Sequence, residues 1–118
     1  MTNEEYTKFL NEITTNANSI MKTKNGKYSN GNDPLHNFHE GANISGMTTA
    51  QTAWGYATKH FIALRDMIHD NDFSDIKDVK EKCSDLINYI RFIYVIANEE
   101  NISKGSNTSN NDTEPHIK

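Results

Sequence analysis

The chain has 118 residues, a net charge of −4 at pH 7 and 35% hydrophobic residues. That length fits one domain with one modest core, and the negative balance excludes a binder of polymeric nucleic acid that works by neutralising phosphates. The single cysteine, Cys83, excludes an internal disulfide and a zinc site made of several thiolates. No stretch approaches the ~18 apolar residues of a membrane span or forms the apolar run of a signal sequence, so a cytoplasmic protein with no membrane partner is expected.

In chain order, the first element is a helix. Tyr6, Phe9, Leu10, Ile13, Ala17, Ile20 and Met21 recur at three- and four-residue steps, which places them on one helical face. Thr2 and Glu5 have capping-box spacing, and Gly26 after Lys22 and Lys24 predicts the stop. Residues 25–32 then read as an Asn/Gly/Ser-rich loop. Asp33-Pro34 supplies an N-cap and a first-turn proline for a short helix over 33–43, anchored by Leu35, Phe38 and Ala42 and weakened by Gly41. Thr48 and Gln51 open a third helix whose stripe runs Ala50, Ala53, Trp54, Ala57, Phe61, Leu64 and Ile68 and which ends near Asp70-Asn71. A fourth starts at Ser74 or Asp75 and carries Ile76, Val79, Cys83, Leu86, Ile87, Ile90, Ile93, Tyr94 and Ala97, a stripe whose widening predicts burial on more than one side. The prediction is an all-α, compact bundle of three long helices and one short one over 1–100, with residues 101–118 as a disordered polar tail.

Three groups of residues carry chemistry. Asp78, Glu81, Asp85 and Asn88 follow one another along the fourth helix at steps of three, four and three. Oxygen ligands on one such stripe suit magnesium or manganese better than zinc; the alternative is a solvated acidic edge paired with Lys77, Lys80 and Lys82. The third helix offers Lys59, His60, Arg65 and Asp66, cations suited to a phosphate or another anion, with surface pairing such as Arg65 to Asp66 as the alternative. The short helix holds His36, Asn37, His39 and Glu40. Two histidines with no third imidazole or thiolate at a recognisable spacing are too few for zinc. The Asn37 amide suits a base, a loop backbone or a carboxylate, and Tyr28 and Phe38 either stack on an aromatic ligand or pack in the core. Cys83, on an apolar stripe, reads as an inert buried thiol. There is no Gly-rich phosphate loop, nucleophile elbow or His-Glu-x-x-His.

Three elements together, Lys27-Tyr28-x4-Asp33-Pro34-Leu35-x-Asn37-Phe38, Lys59-His60-x4-Arg65-Asp66 and Glu81-x3-Asp85-Leu86-x-Asn88-Tyr89, resemble small phage and prophage proteins. Those proteins are related to the MazG-like, all-α nucleotide pyrophosphatase superfamily and include the nucleotide-modification-associated domains. The resemblance covers about residues 20–95. It implies a dimer or tetramer that binds a nucleoside triphosphate and, with magnesium, cleaves the α–β phosphoanhydride to release pyrophosphate, in the host cytoplasm if phage-encoded. It further implies Glu81 and Asp85 as metal ligands, Lys59 or Arg65 on phosphate, and Asn37 or Asn88 near base or sugar. Better-known members pair a Glu-x-x-Glu helix with a Glu-x-x-Asp helix. Here the preceding long helix has only Asp66-x3-Asp70, and the second element is spaced Glu-x3-Asp. That leaves Glu40 to complete a catalytic set with Glu81 and Asp85. The alternative is a non-catalytic module on the same scaffold, sequestering a nucleotide during host defence or docking a protein. Ile90, Phe92, Ile93, Tyr94 and Ile96 give the fourth helix an apolar face that predicts a homo-oligomer under each reading.

Overall fold

The structure, a computed structural model, describes residues 1–28, 31 and 33–105, with side chains at 1–24, 31 and 33–104. The described residues form four helices and no strand: α1 (Asn3–Tyr28), α2 (His36–Ser45), α3 (Thr49–Asp70) and α4 (Ile76–Gly105). None is long and apolar enough to cross a membrane.

The start signals act through the expected side chains. The Thr2 hydroxyl accepts from the Glu5 N–H at 3.0 Å while the Glu5 carboxylate accepts from the Thr2 N–H at 2.9 Å. Thr48 and Gln51 make the same reciprocal pair at 3.0 and 2.9 Å, and α3 ends where Asn71 turns left-handed at φ 51°. At α4, the Asp75 carboxylate accepts from the Asp78 N–H at 3.1 Å.

Boundaries differ from expectation in three places. α1 does not stop at Gly26 but runs to Tyr28, because one glycine costs a helix only about 1 kcal/mol. α2 starts at His36 rather than Asp33. Asp33 instead closes a turn, its carboxylate accepting from the Leu35 N–H at 2.9 Å and its carbonyl from the His36 N–H at 3.2 Å. The Asp-Pro pair thus builds a turn ahead of the helix, with proline at a position its fixed φ favours. α4 continues to Gly105, five residues into the expected tail; residues 106–118 of that tail lie outside the described residues.

α3 and α4 form an antiparallel hairpin, and α2 lies across it. The core is Leu35 and Phe38 from the α2 segment, Ala53 and Ala57 from α3, and Tyr89, Phe92 and Ile96 from α4. Phe38 is its hub, with ring centroids 5.0 Å from Phe92, 5.6 Å from Tyr56 and 6.5 Å from Tyr89. α3 turns its small residues inward: Trp54, Phe61 and Ile68, expected on the buried stripe, are exposed while Ala53 and Ala57 are buried. Alanines at the crossing let the α4 aromatics approach the α3 backbone. The second half of α4 is buried on one side only within a single chain, since Ile90, Tyr94 and Val95 face outward.

α1 runs parallel to α4, and their seam is polar. Asn16 Nδ2 donates to Ser84 Oγ at 2.7 Å, and Asn88 Nδ2 donates to the Ala17 carbonyl at 2.9 Å. Arg91 Nη1 donates to Asn18 Oδ1 at 2.9 Å and to Asn88 Oδ1 at 3.0 Å. Ala17 is buried at this seam, whereas Tyr6, Phe9 and Leu10, expected on the buried face, are exposed.

Candidate functional site

Two clusters of ionisable side chains stand out, and each joins separate elements. In the first, His39 of α2 is gripped from both sides: Nδ1 lies 2.7 Å from the Asp33 carboxylate and Nε2 2.8 Å from the Glu99 carboxylate of α4. The hydrogen bond to Glu99 raises the imidazole pKa above its usual range; partial burial opposes this and the bond to Asp33 adds to it. The bond from His39 holds Asp33 below the ordinary carboxylate range. A charged imidazole donating from both nitrogens has no lone pair for a metal or for a substrate proton. This cluster is a clamp between the α2 segment and α4.

The second cluster lies where α1, α3 and α4 meet. Asp85 is buried on α4. Lys24 Nζ of α1 stands 3.5 Å from one carboxylate oxygen and His60 Nδ1 of α3 stands 3.5 Å from the other. The His60 ring stacks on Tyr89, with centroids 5.3 Å apart and planes inclined by 27°. Burial pushes the His60 pKa below its usual value; Asp85 opposes this, while Lys24, Lys59 and Lys82 press it further down. Lysines on three helices therefore lie near enough to act on one imidazole. Asp85 offsets part of their charge, and Asp78 holds Lys82 at 3.4 Å. The Lys59 side chain is exposed, and Lys24 and Lys82 are half-buried.

The residues singled out in sequence divide between this cluster and elsewhere. Lys59, His60 and Asp85 come together. Asn88 lies one turn along α4, buried and committed to holding α1 through Ala17. Phe38 is fully buried in the core, so it packs rather than stacking on a ligand. Arg65 is exposed and bonded to neighbouring Asp66 at 3.1 Å, the surface pairing that was the alternative for it. Glu40 and Glu81 are exposed, and Asn37 is half-buried on α2. The Tyr28 side chain lies outside the described residues. Cys83 is half-buried rather than sealed in, and burial raises its thiol pKa, which lowers its thiolate fraction and slows its reactions.

Among the described residues no three of His, Cys, Asp and Glu form a group that could hold a metal, and the two Asp85 oxygens already face Lys24 and His60. Glu40, Glu81 and Asp85 are not assembled as one ligand set.

Lys24, Lys82 and Glu99 belong to the two clusters and were not singled out in sequence. Lys24 carried a faint signal as one of two lysines closing the first helix. Glu99 carried none, because its partner His39 is 60 residues away.

The chain matches no protein-family model, no curated protein and no solved structure.

Proposed function

We propose that the protein binds a phosphorylated small molecule, with the phosphate on the cations gathered around His60. The observation that carries this reading is the meeting of Lys24 and His60 on buried Asp85, with Lys59 and Lys82 near enough to act on the His60 charge. Lysine ammonium groups on flexible stems bind phosphate as point charges. Together they give a locally positive site on a chain whose net charge is −4. Asp85 positions Lys24 and His60 from below. A nucleotide is the class of ligand that the sequence resemblance implies.

An arriving phosphate also favours a proton on His60, since an anion beside an imidazole stabilises its charged form. Binding therefore takes up a proton and strengthens as pH falls. Sequestration, rather than turnover, suits a site without a set of metal-binding carboxylates.

Calorimetry against deoxynucleoside triphosphates and monophosphates, pyrophosphate and inorganic phosphate tests the reading. Triphosphates should bind more tightly than monophosphates, and Lys24→Ala with Lys59→Ala should weaken binding at least ten-fold, as the loss of two charge-assisted contacts requires. No heat with any phosphate compound would end this reading. Release of pyrophosphate with magnesium present would add a hydrolytic step to it.

A further inference from the structure

At the end of the molecule where α1 and α4 begin, an apolar face is left uncovered by the described residues. Tyr6, Phe9 and Leu10 on α1 are 58%, 47% and 49% exposed, and Phe73 and Ile76 at the start of α4 are 44% and 69% exposed. Phe9, Ile13, Ile76, Val79 and Cys83 line a groove of about 510 Å³ between the helices, with Glu12 on the α1 lip and Lys77 and Lys80 on the α4 lip.

We propose that this face is the interface of a homodimer, in which a second copy lays its own Tyr6–Phe9–Leu10 edge over the groove about a two-fold axis. Charge complementarity selects a second copy as the occupant. Glu12 is the acid on the α1 lip, 4.0 Å from Lys8 of the same helix, and Glu4 and Glu5 in the first turn leave this stretch of α1 net acidic. Lys77 and Lys80 of the opposite lip have no ion-pair partner among the described residues. A two-fold axis sets each acidic lip against the other copy's basic lip, so every contact is made twice.

The area agrees. A fully buried aromatic covers about 150–250 Å², so five large side chains near half exposure offer roughly 500 Å². At the ~65% apolar share of homodimer interfaces, this corresponds to about 800 Å² per copy, the standard size of a stable pair. Within the chain, α1 buries Ala17 and half-buries Ile13, Ile20 and Met21 but leaves Tyr6, Phe9 and Leu10 outside. Phe9 lies 15 positions before Lys24, about 22 Å along α1, so this interface and the phosphate site are tested separately.

Sedimentation and light scattering across a concentration series read the dimer directly, and alkylation of Cys83, the chain's one thiol, reads closure of the groove. The intact chain should dimerise, with Cys83 alkylation slowing as concentration rises. Phe9→Glu and Ile76→Glu each alter an exposed side chain, so helix content by circular dichroism should stay unchanged. Each should give a monomer whose Cys83 reacts at least ten-fold faster than in the dimer. Lys80→Glu should weaken the dimer and Lys80→Glu with Glu12→Lys should recover it. A wild-type monomer at every concentration, a dimer that survives both groove variants, or no recovery in the charge-swapped pair would each overturn the proposal.

Discussion

His39 and His60 respond to pH with opposite signs. The raised pKa of His39 means that the folded state holds its proton more tightly than the unfolded chain does. The stability this contributes is fully present below the unfolded value of about 6.5 and is lost as pH rises through the raised folded value. Asp33 sets the acid limit: its lowered pKa contributes stability above the unfolded value near 3.8, lost as pH falls through the folded one. His36 also faces Asp33 and lowers it slightly. His60, with a depressed pKa, favours the folded state only while neutral, so its contribution is lost as pH falls below about 6.5. In a comparison of wild type with His39→Gln, the His60 contribution cancels. The substitution should lower Tm by roughly 5 °C at pH 6 and by much less at pH 9. A difference in Tm that stays constant from pH 6 to pH 9 would mean that the clamp holds no charge. At this scale the sequence was only partly readable. His39 and Asp33 were visible as polar residues in a short segment. Their roles depended on Glu99, which no spacing connects to them, and Asp33 looked like a helix cap because Asx turns and N-caps use the same side chain.

Among the elements, the approach of α2 to α3 rests on Gly41. A Cβ at that position would meet Tyr56 Oη at 2.6 Å and Thr52 Cγ2 at 2.9 Å. The Tyr56 hydroxyl is the far end of a partly exposed side chain and can move aside, whereas Thr52 is buried and bonded through its hydroxyl to the Thr48 carbonyl at 3.0 Å. Thr52 therefore decides the outcome. Gly41→Ala gains up to about 1 kcal/mol of helix propensity but forces an overpacking cost of about 1–3 kcal/mol, so chemical denaturation should show a net loss of up to about 2 kcal/mol. A stabilised variant would mean that α2 can shift away from α3 freely. Sequence alone marked Gly41 as a weak point in the short helix, because propensity registers the missing side chain and not the neighbour occupying its place. Start signals were readable where a cap reciprocates locally, at Thr2–Glu5 and Thr48–Gln51. The stop at Gly26 was not, since a glycine ends a helix only when the chain beyond it turns away. Hydrophobic periodicity found all four helices and the inward Ala53 and Ala57 of α3, but it also put Trp54, Phe61 and Ile68 on that buried stripe, because large apolar residues suggest a core where alanines mark the close crossing.

Across the whole molecule, stability is unequal. The α3–α4 hairpin with α2 holds the aromatic core, while α1 adds only Met21 of its described residues to that core and is otherwise fastened largely by amide, guanidinium and ammonium contacts on either side of Ala17. Such contacts specify register more than they add net stability. Hydrogen exchange at low protein concentration should show less protection across residues 6–24 than across residues 84–96; equal protection would mean that all four helices unfold as one unit. None of this was legible beforehand, since periodicity says that a helix has a face and is silent on which helix meets it. The parallel pairing of α1 with α4 also bears on how the chain is made. Its bonds join residues 68, 71 and 73 positions apart, and at about 5–20 residues per second of synthesis α1 waits on the order of 3–15 s before its partner exists. An isolated helix is marginal in water. During that interval the nascent segment carries Tyr6, Phe9, Leu10 and Ile13 without the α4 residues that later line the groove beside them.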